Sequence, residues 1–463
     1  MTRVHFIGIG GSGLSAIARL LLESGYAVTG SDRELTPFAL ELQKAGAAVH
    51  IGHDPANVGE AEWVIRSSAI PDDNPEVLAA REAGIPVLKR SDFLGRLMDE
   101  KLGIAVAGTH GKTTTTAMIA WVLTELGSDP SYIVGSVLLN LGRNAHAGTG
   151  KVFVIEADEY DNMFLGLKPR IEIITNLEHD HPDCFPTFDD MLKAFHAFVD
   201  LLPVDGTLIV CADDSGAASL VSRARKANKE VIAYTIKDEQ TLNSPKWIRA
   251  RGISTNTLGG FGFEVASNLG AELDHVRVEL QIPGRHNVSN ALAVLVVIAL
   301  LGLSPGKAAK ALQDFKGTGR RFEIRGEADG IVLVDDYAHH PSEIRATLAA
   351  ARARYPQSRI WAVWQPHTYS RTKTLFNEFS RAFDDADEVI VSEVYAAREP
   401  KEDFSSAEVV KAMTHPSARF IASLEGISRF LFDNLHRGDV VLVLSAGDAD
   451  SISKEVLTMI QKR

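Results

Sequence analysis

Short apolar, β-branched runs that end in glycine-rich or polar loops and lead into helical periodicity recur along this 463-residue chain. That repeat constrains the chain to α/β architecture with parallel sheets, because parallel strands need a crossover element between them. Three blocks separate. The first, residues 1–100, opens with VHFIGIG, continues as helical LSAIARLLLESG and returns at YAVTGSD, AEWVIRSSAI and IPVLK. The second, 101–318, opens with GIAVAG and a helix expected from Lys112 to about Leu126, then shows buried-strand runs at VFVIEAD, EIITNL and TLIVCA. Between Lys237 and Gln281 the helical period gives way to alternating strands and polar turns, after which PGRHNVSNALAVLVVIALLGL reads as a loop entering a buried helix. A linker is expected around Gly317 to Arg321. In the third block, 319–463, IVLVDDYAHHP, RIWAVWQPH, EVIVSEV and DVVLVLSAGD read as strands ending in polar loops.

Composition excludes several classes of function. Lys and Arg total 48 against 60 Asp and Glu, a formal charge of -12, so nothing basic marks the molecule as a nucleic-acid binder, and acidic substrates need a local positive site. The two cysteines, Cys184 and Cys211, make neither a disulfide framework nor a compact zinc motif and fit a reducing cytoplasm. The longest apolar stretch, Ala291 to Leu303, falls short of the ~18 residues that suggest a bilayer span. Glycines interrupt the first apolar segment where a secretory signal needs continuity, so no export is expected.

Four constellations carry chemistry. Gly108-Thr109-His110-Gly111-Lys112-Thr113-Thr114 follows the apolar IAVA and opens a helix. Backbone N–H groups at such a turn bind polyphosphate oxygens, the Lys ammonium sits on the outer phosphates and the Thr hydroxyl ligates Mg²⁺. Alanine at residue 105 replaces the first glycine of the usual longer pattern. A second turn, Gly8 through Gly10, Gly11 and Gly13, precedes Asp32 near the end of the next strand, which suits a dinucleotide or a nucleotide diphosphate. Glu156, Asp158, Glu159 and Asp161 end a buried strand beside the phosphate loop, where Mg²⁺ needs one or two carboxylate oxygens. TNLEHDH, DDYAHHP and QPHTYSR each follow an apolar strand, and open α/β sheets bind ligands beyond the carboxyl ends of their strands.

Together these segments resemble the ATP-dependent Mur ligase family over essentially the whole chain. The residues that carry the resemblance are HFIGIGGSGLS, SSAIP, AGTHGKTTTT, EADE, TNLEHDH, PGRHNVSNALA, RRFE, DDYAHHPSEI and QPHTYSR, in the family's order. The resemblance implies a Rossmann-like N-terminal domain, a P-loop ATPase-like central domain and a Rossmann-like C-terminal domain. It implies ATP-dependent ligation of L-alanine to UDP-N-acetylmuramate through an acyl phosphate, with one or two Mg²⁺ ions. Lys112 would hold the ATP phosphates, Thr113 and Glu156 one Mg²⁺, and His181 with Glu156 a second. Asn287, Asn290, Arg321 and Asp336 would contact the nucleotide. Gly10, Gly11, Gly13, Asp32, Ser67 and Ser68 would hold the UDP-sugar, and Tyr337, His367 and Arg371 the amino acid. His339 and His340 are both in place to assist the chemistry.

Four positions depart from the alanine-adding pattern. Thr368 replaces an Arg, Tyr160 in EADEYD replaces a Ser, and Arg398 and Ser445 stand where glycines are usual. EADEYD resembles the related ligase that recycles a cell-wall tripeptide, whereas QPHTYSR and DDYAHHPSE are alanine-ligase text. Two readings lie outside the class. A nicotinamide-dependent dehydrogenase would explain the first glycine loop and predicts NAD(H) binding, but leaves GTHGKTTT unused. A nonenzymatic nucleotide-binding protein would keep Lys112 and predicts no amino-acid-dependent phosphate release. Lys112→Ala is expected to abolish phosphoryl transfer with little effect on folding, on the reading that an exposed loop Lys packs little.

Overall fold

Three sheets organise the computed structural model, which describes residues 2–237, 244–397 and 399–462; Arg398 lies outside the described residues. The first sheet orders its strands Ala48–Ile51, Ala27–Asp32, Arg3–Ile7, Trp63–Arg66 and Val87–Lys89, all parallel. The order reverses beside Arg3–Ile7, so the crevice at its carboxyl end is where a ligand fits, and the Gly8 to Gly13 turn lies there.

The second sheet has ten strands. Its parallel centre places Leu102–Ala107, which feeds the phosphate loop, between Ile171–Ile174 and Val152–Glu156. The acidic EADE and the TNLE segments therefore emerge on either side of that loop. The expected helix forms as Lys112–Glu125 with Leu126 as its C-cap. The apolar stretch forms the helix Arg285–Leu300, buried on all faces from Val288 to Ile298 because it packs against the sheet, Lys112–Glu125 and Pro305–Gln313. Each fully buried Val, Leu or Ile side chain of that helix contributes about 1.5–3 kcal/mol.

The sheet then changes character. Lys246–Thr255 pairs parallel with Glu230–Thr235, but Phe261–Ser267 and Arg277–Glu279 continue antiparallel, as the alternating pattern suggests. Residues 238–243 of that stretch lie outside the described residues.

The third sheet runs Glu323–Ala328, Ile331–Asp336, Val440–Leu444, Ile360–Trp364, Glu388–Val391 and Ala418–Phe420, parallel except for its first strand. In the segment entering it, Arg320 and Phe322 both have positive φ, 56° and 48°. Bulky residues adopt that conformation only when held. Here the Arg320 amide donates to Glu323 Oε2 and the Phe322 amide to Asp336 Oδ2, both at 2.8 Å. No helix among the described residues is long and apolar enough to cross a membrane.

Candidate functional site

The phosphate loop is shaped by glycine and then stitched in place. Gly108 has φ 131°, and a Cβ there would lie 2.2 Å from Thr175 Oγ1, so the loop can approach the neighbouring strand end only as glycine. Thr109 and His110 amides donate to the Asn176 carbonyl and Asn176 Oδ1 at 3.1 and 2.8 Å. Thr175 Oγ1 donates to the His110 carbonyl at 2.6 Å, and the Glu178 amide donates to Thr109 Oγ1 at 2.9 Å. TNLE thus braces the loop's backbone, a role for Thr175 and Asn176 that the motif's wealth of potential ligands conceals.

Lys112 is not an exposed loop residue. Its side chain is 13% exposed, and its ammonium donates to the Gly108 carbonyl at 2.6 Å and to Glu159 Oε1 at 2.9 Å. Burial alone would lower its pKa, but Glu159, Asp158 and Glu156 outweigh burial and raise it. Glu159 is fully buried, and burial raises its own pKa against the pull of Lys112. The expectation that Lys112→Ala leaves folding untouched is therefore corrected: removing the ammonium strands a buried carboxyl group.

Thr113 Oγ1 donates to Glu156 Oε1 at 2.8 Å, and the Gly135 amide donates to Glu156 Oε2 at 2.6 Å. This hydroxyl and carboxylate at the start of the Lys112–Glu125 helix are hard oxygen donors of the kind Mg²⁺ takes, so the residues present fit that ion. The carboxylate beside His181 is Glu159, at 4.0 Å from Nε2, with Asp180 Oδ2 at 3.8 Å. Glu156, expected to serve a second ion with His181, here accepts Thr113 and Gly135 instead.

A cavity of about 370 Å³ opens between the phosphate loop, the Arg285–Leu300 helix and the third sheet. Gly111, Thr113, Thr114, Asn287, Asn290, Arg321 and Asp336 all line it. Asn290 Nδ2 donates to Asn287 Oδ1 at 3.0 Å, and Arg321 Nη1 to Glu343 Oε1 at 3.2 Å. Burial pushes Asp336 up to about 6 even though Arg321 and the Phe322 and Ala338 amides favour its charged form. Burial would lower His110, but Glu343 and Glu178 outweigh it and hold its pKa at about 9.

The polar loops of the third sheet meet this region. Arg371 Nε and Nη2 both donate to Asp180 Oδ1, at 2.9 and 2.7 Å, while Nη1 lies 3.2 Å from His367 Nδ1. Arg371 and Asp180 are 5% and 4% exposed, so the pair is a buried bridge between the second and third blocks. The expectation of a free carboxylate clamp is thereby altered: Nε and Nη2 are engaged by Asp180, and Nη1 turns toward His367. His339 donates its Nδ1–H to the Tyr337 carbonyl, 2.9 Å away, and its ring lies 5.8 Å from that of His367. Burial lowers His339 to about 3, and His340 and His367 to about 4.

Thr368 has φ 59° and ψ 161°, a region that β-branched residues avoid. Glu399 holds the turn by accepting the Tyr369 and Ser370 amides at 2.6 and 3.1 Å. Tyr160 donates to Asp183 Oδ2 at 3.0 Å and packs edge-on against His181. Ser445 Oγ donates to Gln365 Oε1 at 2.7 Å, which gives that departure from glycine a structural use.

In the first block, Asp32 Oδ2 accepts the Gly10 amide at 2.8 Å and Thr36 Oγ1 donates to the Gly10 carbonyl at 2.9 Å, so Asp32 braces the loop. Ser67 lies against Gly8, whose added Cβ would stand 3.2 Å from Ser67 Cβ, and Ser68 follows it in the adjoining turn. Gly11 is the N-cap of the helix Ser12–Glu23. Arg90 occupies the space a side chain at Gly13 would need and donates to Asp158 Oδ2 at 3.2 Å, joining this loop to the acidic one. The arrangement offers a phosphate cradle, a largely apolar cavity edged by polar side chains and a cluster of histidines within one cleft.

Comparison with known proteins covers the same three blocks. The Mur ligase family, catalytic domain matches residues 3–102, the Mur ligase middle domain 106–298 and the Mur ligase, glutamate ligase domain 320–447. A UDP-N-acetylmuramate–L-alanine ligase from Solidesulfovibrio magneticus is 42% identical over 449 residues, 96% of this chain and 95% of the relative. Among solved structures, the UDP-N-acetylmuramate-alanine ligase of Thermotoga maritima superposes with a TM-score of 0.81 at 30% identity, covering 100% of both chains. A murein peptide ligase from Psychrobacter arcticus gives 0.73 at 27% identity, covering 100% of this chain and 99% of its own.

Proposed function

The chain belongs to the Mur ligase family, and we propose that it joins L-alanine to the lactyl carboxylate of UDP-N-acetylmuramate with ATP and Mg²⁺. The products are UDP-N-acetylmuramoyl-L-alanine, ADP and phosphate, a step of peptidoglycan precursor synthesis in the cytoplasm. The observation that carries this reading is 42% identity to an alanine-adding ligase across 96% of the chain.

A carboxylate does not react with an amine unaided. In the proposed reaction a lactyl oxygen attacks the γ-phosphorus, releasing ADP and leaving an acyl phosphate; the amine then attacks the acyl carbon and phosphate departs. Phosphoryl transfer is chiefly a problem of position and charge. Lys112 and the amides at the start of its helix meet the phosphate oxygens, with Gly108, Thr109, His110, Gly111 and Thr114 shaping the cradle. Thr113 and Glu156 would hold Mg²⁺, which supplies neutralisation of the phosphate charge. Asn287, Asn290, Arg321 and Asp336 receive the nucleotide, and the first glycine loop with Asp32, Ser67 and Ser68 receives the UDP-sugar.

The incoming amine must arrive unprotonated. With its Nδ1–H given to the Tyr337 carbonyl, His339 keeps Nε2 as a lone pair, and its low pKa keeps the ring neutral at pH 7. His340 accepts the Ser342 amide through Nδ1 at 3.3 Å and caps the Pro341–Arg354 helix, so His339 is the better placed of the two to meet the amine. Tyr337, His367 and the Nη1 edge of Arg371 gather the amino acid, with His181 and Glu159 alongside.

A second reading, tripeptide recycling, is favoured by Tyr160 and by the Psychrobacter likeness. The test is phosphate release with ATP, Mg²⁺ and UDP-N-acetylmuramate, comparing L-alanine, glycine, L-serine and L-Ala-γ-D-Glu-diaminopimelate. Stimulation by L-alanine supports the first reading, stimulation by the tripeptide alone transfers the chain to the second, and silence with all four rejects both.

A further inference from the structure

Outside the Thr113–Glu156 pair, a second group of donors converges across the boundary between the central and C-terminal blocks. His110 Nε2 and His340 Nδ1 each lie 3.7 Å from Glu178 Oε2, and one ligand atom from each of the three residues falls within 4.8 Å of the others. Tetrahedral ligands at about 2.1 Å from a metal stand roughly 3.4 Å apart, so the trio needs only small adjustments to enclose an ion. The two imidazole rings are 4.8 Å apart between centroids.

Two features set this group apart from an ordinary ionic cluster. His110 Nε2, which faces Glu178, is buried and without a hydrogen-bond partner, while His340 Nδ1 faces Glu178 from a side chain only 5% exposed and would exchange its 3.3 Å contact with the Ser342 amide for the ion. Glu343 Oε1 stands 3.3 Å from His110 Nδ1, the carboxylate-to-imidazole contact that fixes a ligating ring and directs its other nitrogen to a metal. Ser342 Oγ donates to Glu178 Oε2 at 2.7 Å and fixes that carboxylate in turn.

We propose that His110, Glu178 and His340 form an inhibitory binding site for a zinc-class transition-metal ion, distinct from the oxygen site for Mg²⁺. Two imidazoles among three donors select zinc, cobalt or nickel over magnesium, which prefers oxygen. Because His110 and Glu178 belong to the central block and His340 to the C-terminal one, the ion ties the two together. It also occupies His110, which belongs to the phosphate loop itself. Inhibition, unlike binding, rests on the proposed ligase activity.

The test uses the full-length protein washed with chelator and titrated with Co²⁺, whose visible absorption reports nitrogen and oxygen ligation whether or not the enzyme turns over. One equivalent should produce a band that Zn²⁺ abolishes. His340→Asn and Glu178→Gln should each weaken Co²⁺ binding at least tenfold, while His179→Asn and His436→Asn leave it unchanged; thermal melts confirm folding. Micromolar Zn²⁺ should also inhibit phosphate release in excess Mg²⁺. Absence of the band, or a band of unchanged affinity in both His340→Asn and Glu178→Gln, overturns the site. A normal Co²⁺ titration with no Zn²⁺ inhibition of an active enzyme overturns its inhibitory role.

Discussion

Replacing Asp180 with Ala leaves the Arg371 guanidinium buried between two blocks without its carboxylate. The bridge is short at both contacts, 2.9 and 2.7 Å, and each partner is about 95% removed from water. Breaking one side of such a pair costs about 3–5 kcal/mol, because the surviving charge loses its compensation while remaining desolvated. The central and C-terminal blocks each keep their own cores, so the cost falls on the closed arrangement rather than on either fold. Closure should weaken by roughly 10²- to 4 × 10³-fold. Small-angle scattering should report an expanded molecule, and KM for L-alanine should rise far more than KM for ATP.

The effect should be independent of pH over the working range. Burial would raise Asp180, yet Arg371 and the neighbouring histidines hold it well below the usual carboxylate range. A depressed carboxyl pKa contributes stability that is complete above the unfolded value of about 3.9 and is lost only as the pH falls toward the folded one. Scattering of the wild-type protein should therefore show no opening through this pair between pH 6 and 8. An Asp180→Ala variant with unchanged scattering and unchanged KM for L-alanine would refute the reasoning.

Lys112→Ala should abolish phosphate release and also destabilise the protein by about 1–3 kcal/mol in urea melts, since Glu159 is left buried; adding Glu159→Gln should recover the stability but not the activity. Thr368→Gly should stabilise by about 1 kcal/mol in the same melts, as relief of a strained φ exceeds the entropy cost of glycine; a loss of stability would mean the conformation is unstrained. Burial pushes Asp335 up to about 7, so the folded state holds a proton that the unfolded chain releases near pH 4 and stability falls as pH rises from 4 to 7. Asp335→Asn should flatten that fall, and identical pH profiles for the two proteins would count against the assignment.

Much of this architecture is legible because its signals are local. A strand such as Leu102–Ala107 and the helix after it are written in consecutive residues, and the Gly108 and Gly111 conformations follow from their place between them. The hairpin Ser131–Leu138 with Arg143–His146 is harder to read, because Gly135 interrupts its first strand for a reason held elsewhere in the chain. A Cβ at Gly135 would stand 2.7 Å from Glu156 Oε2. The same holds for the site. Lys112 and Thr113 are evident in the motif, but their partners Glu159 and Glu156 lie 47 and 43 residues away, and Arg371 meets Asp180 across 191. Such pairings depend on strand order, which no local window contains.

Strand order also explains the electrostatics of the cradle. Placing Val152–Glu156 beside Leu102–Ala107 brings Glu156, Asp158 and Glu159 to the phosphate loop, so Lys112 faces several carboxylates, with Arg90 on Asp158 from the other side. A triphosphate entering there adds negative charge to a site whose one nearby ammonium is already paired. Charge opposition at this distance in a partly desolvated cleft is worth several kcal/mol. On the proposed function, phosphate binding at this loop should therefore need a divalent cation as well as Lys112, and the Thr113–Glu156 pair would hold that cation where it relieves the repulsion between Glu156 and the phosphates. On that reading the acidic loop would make nucleotide binding conditional on the metal, and the buried Glu159 holds Lys112 in the cradle against the desolvation that would otherwise favour its neutral form.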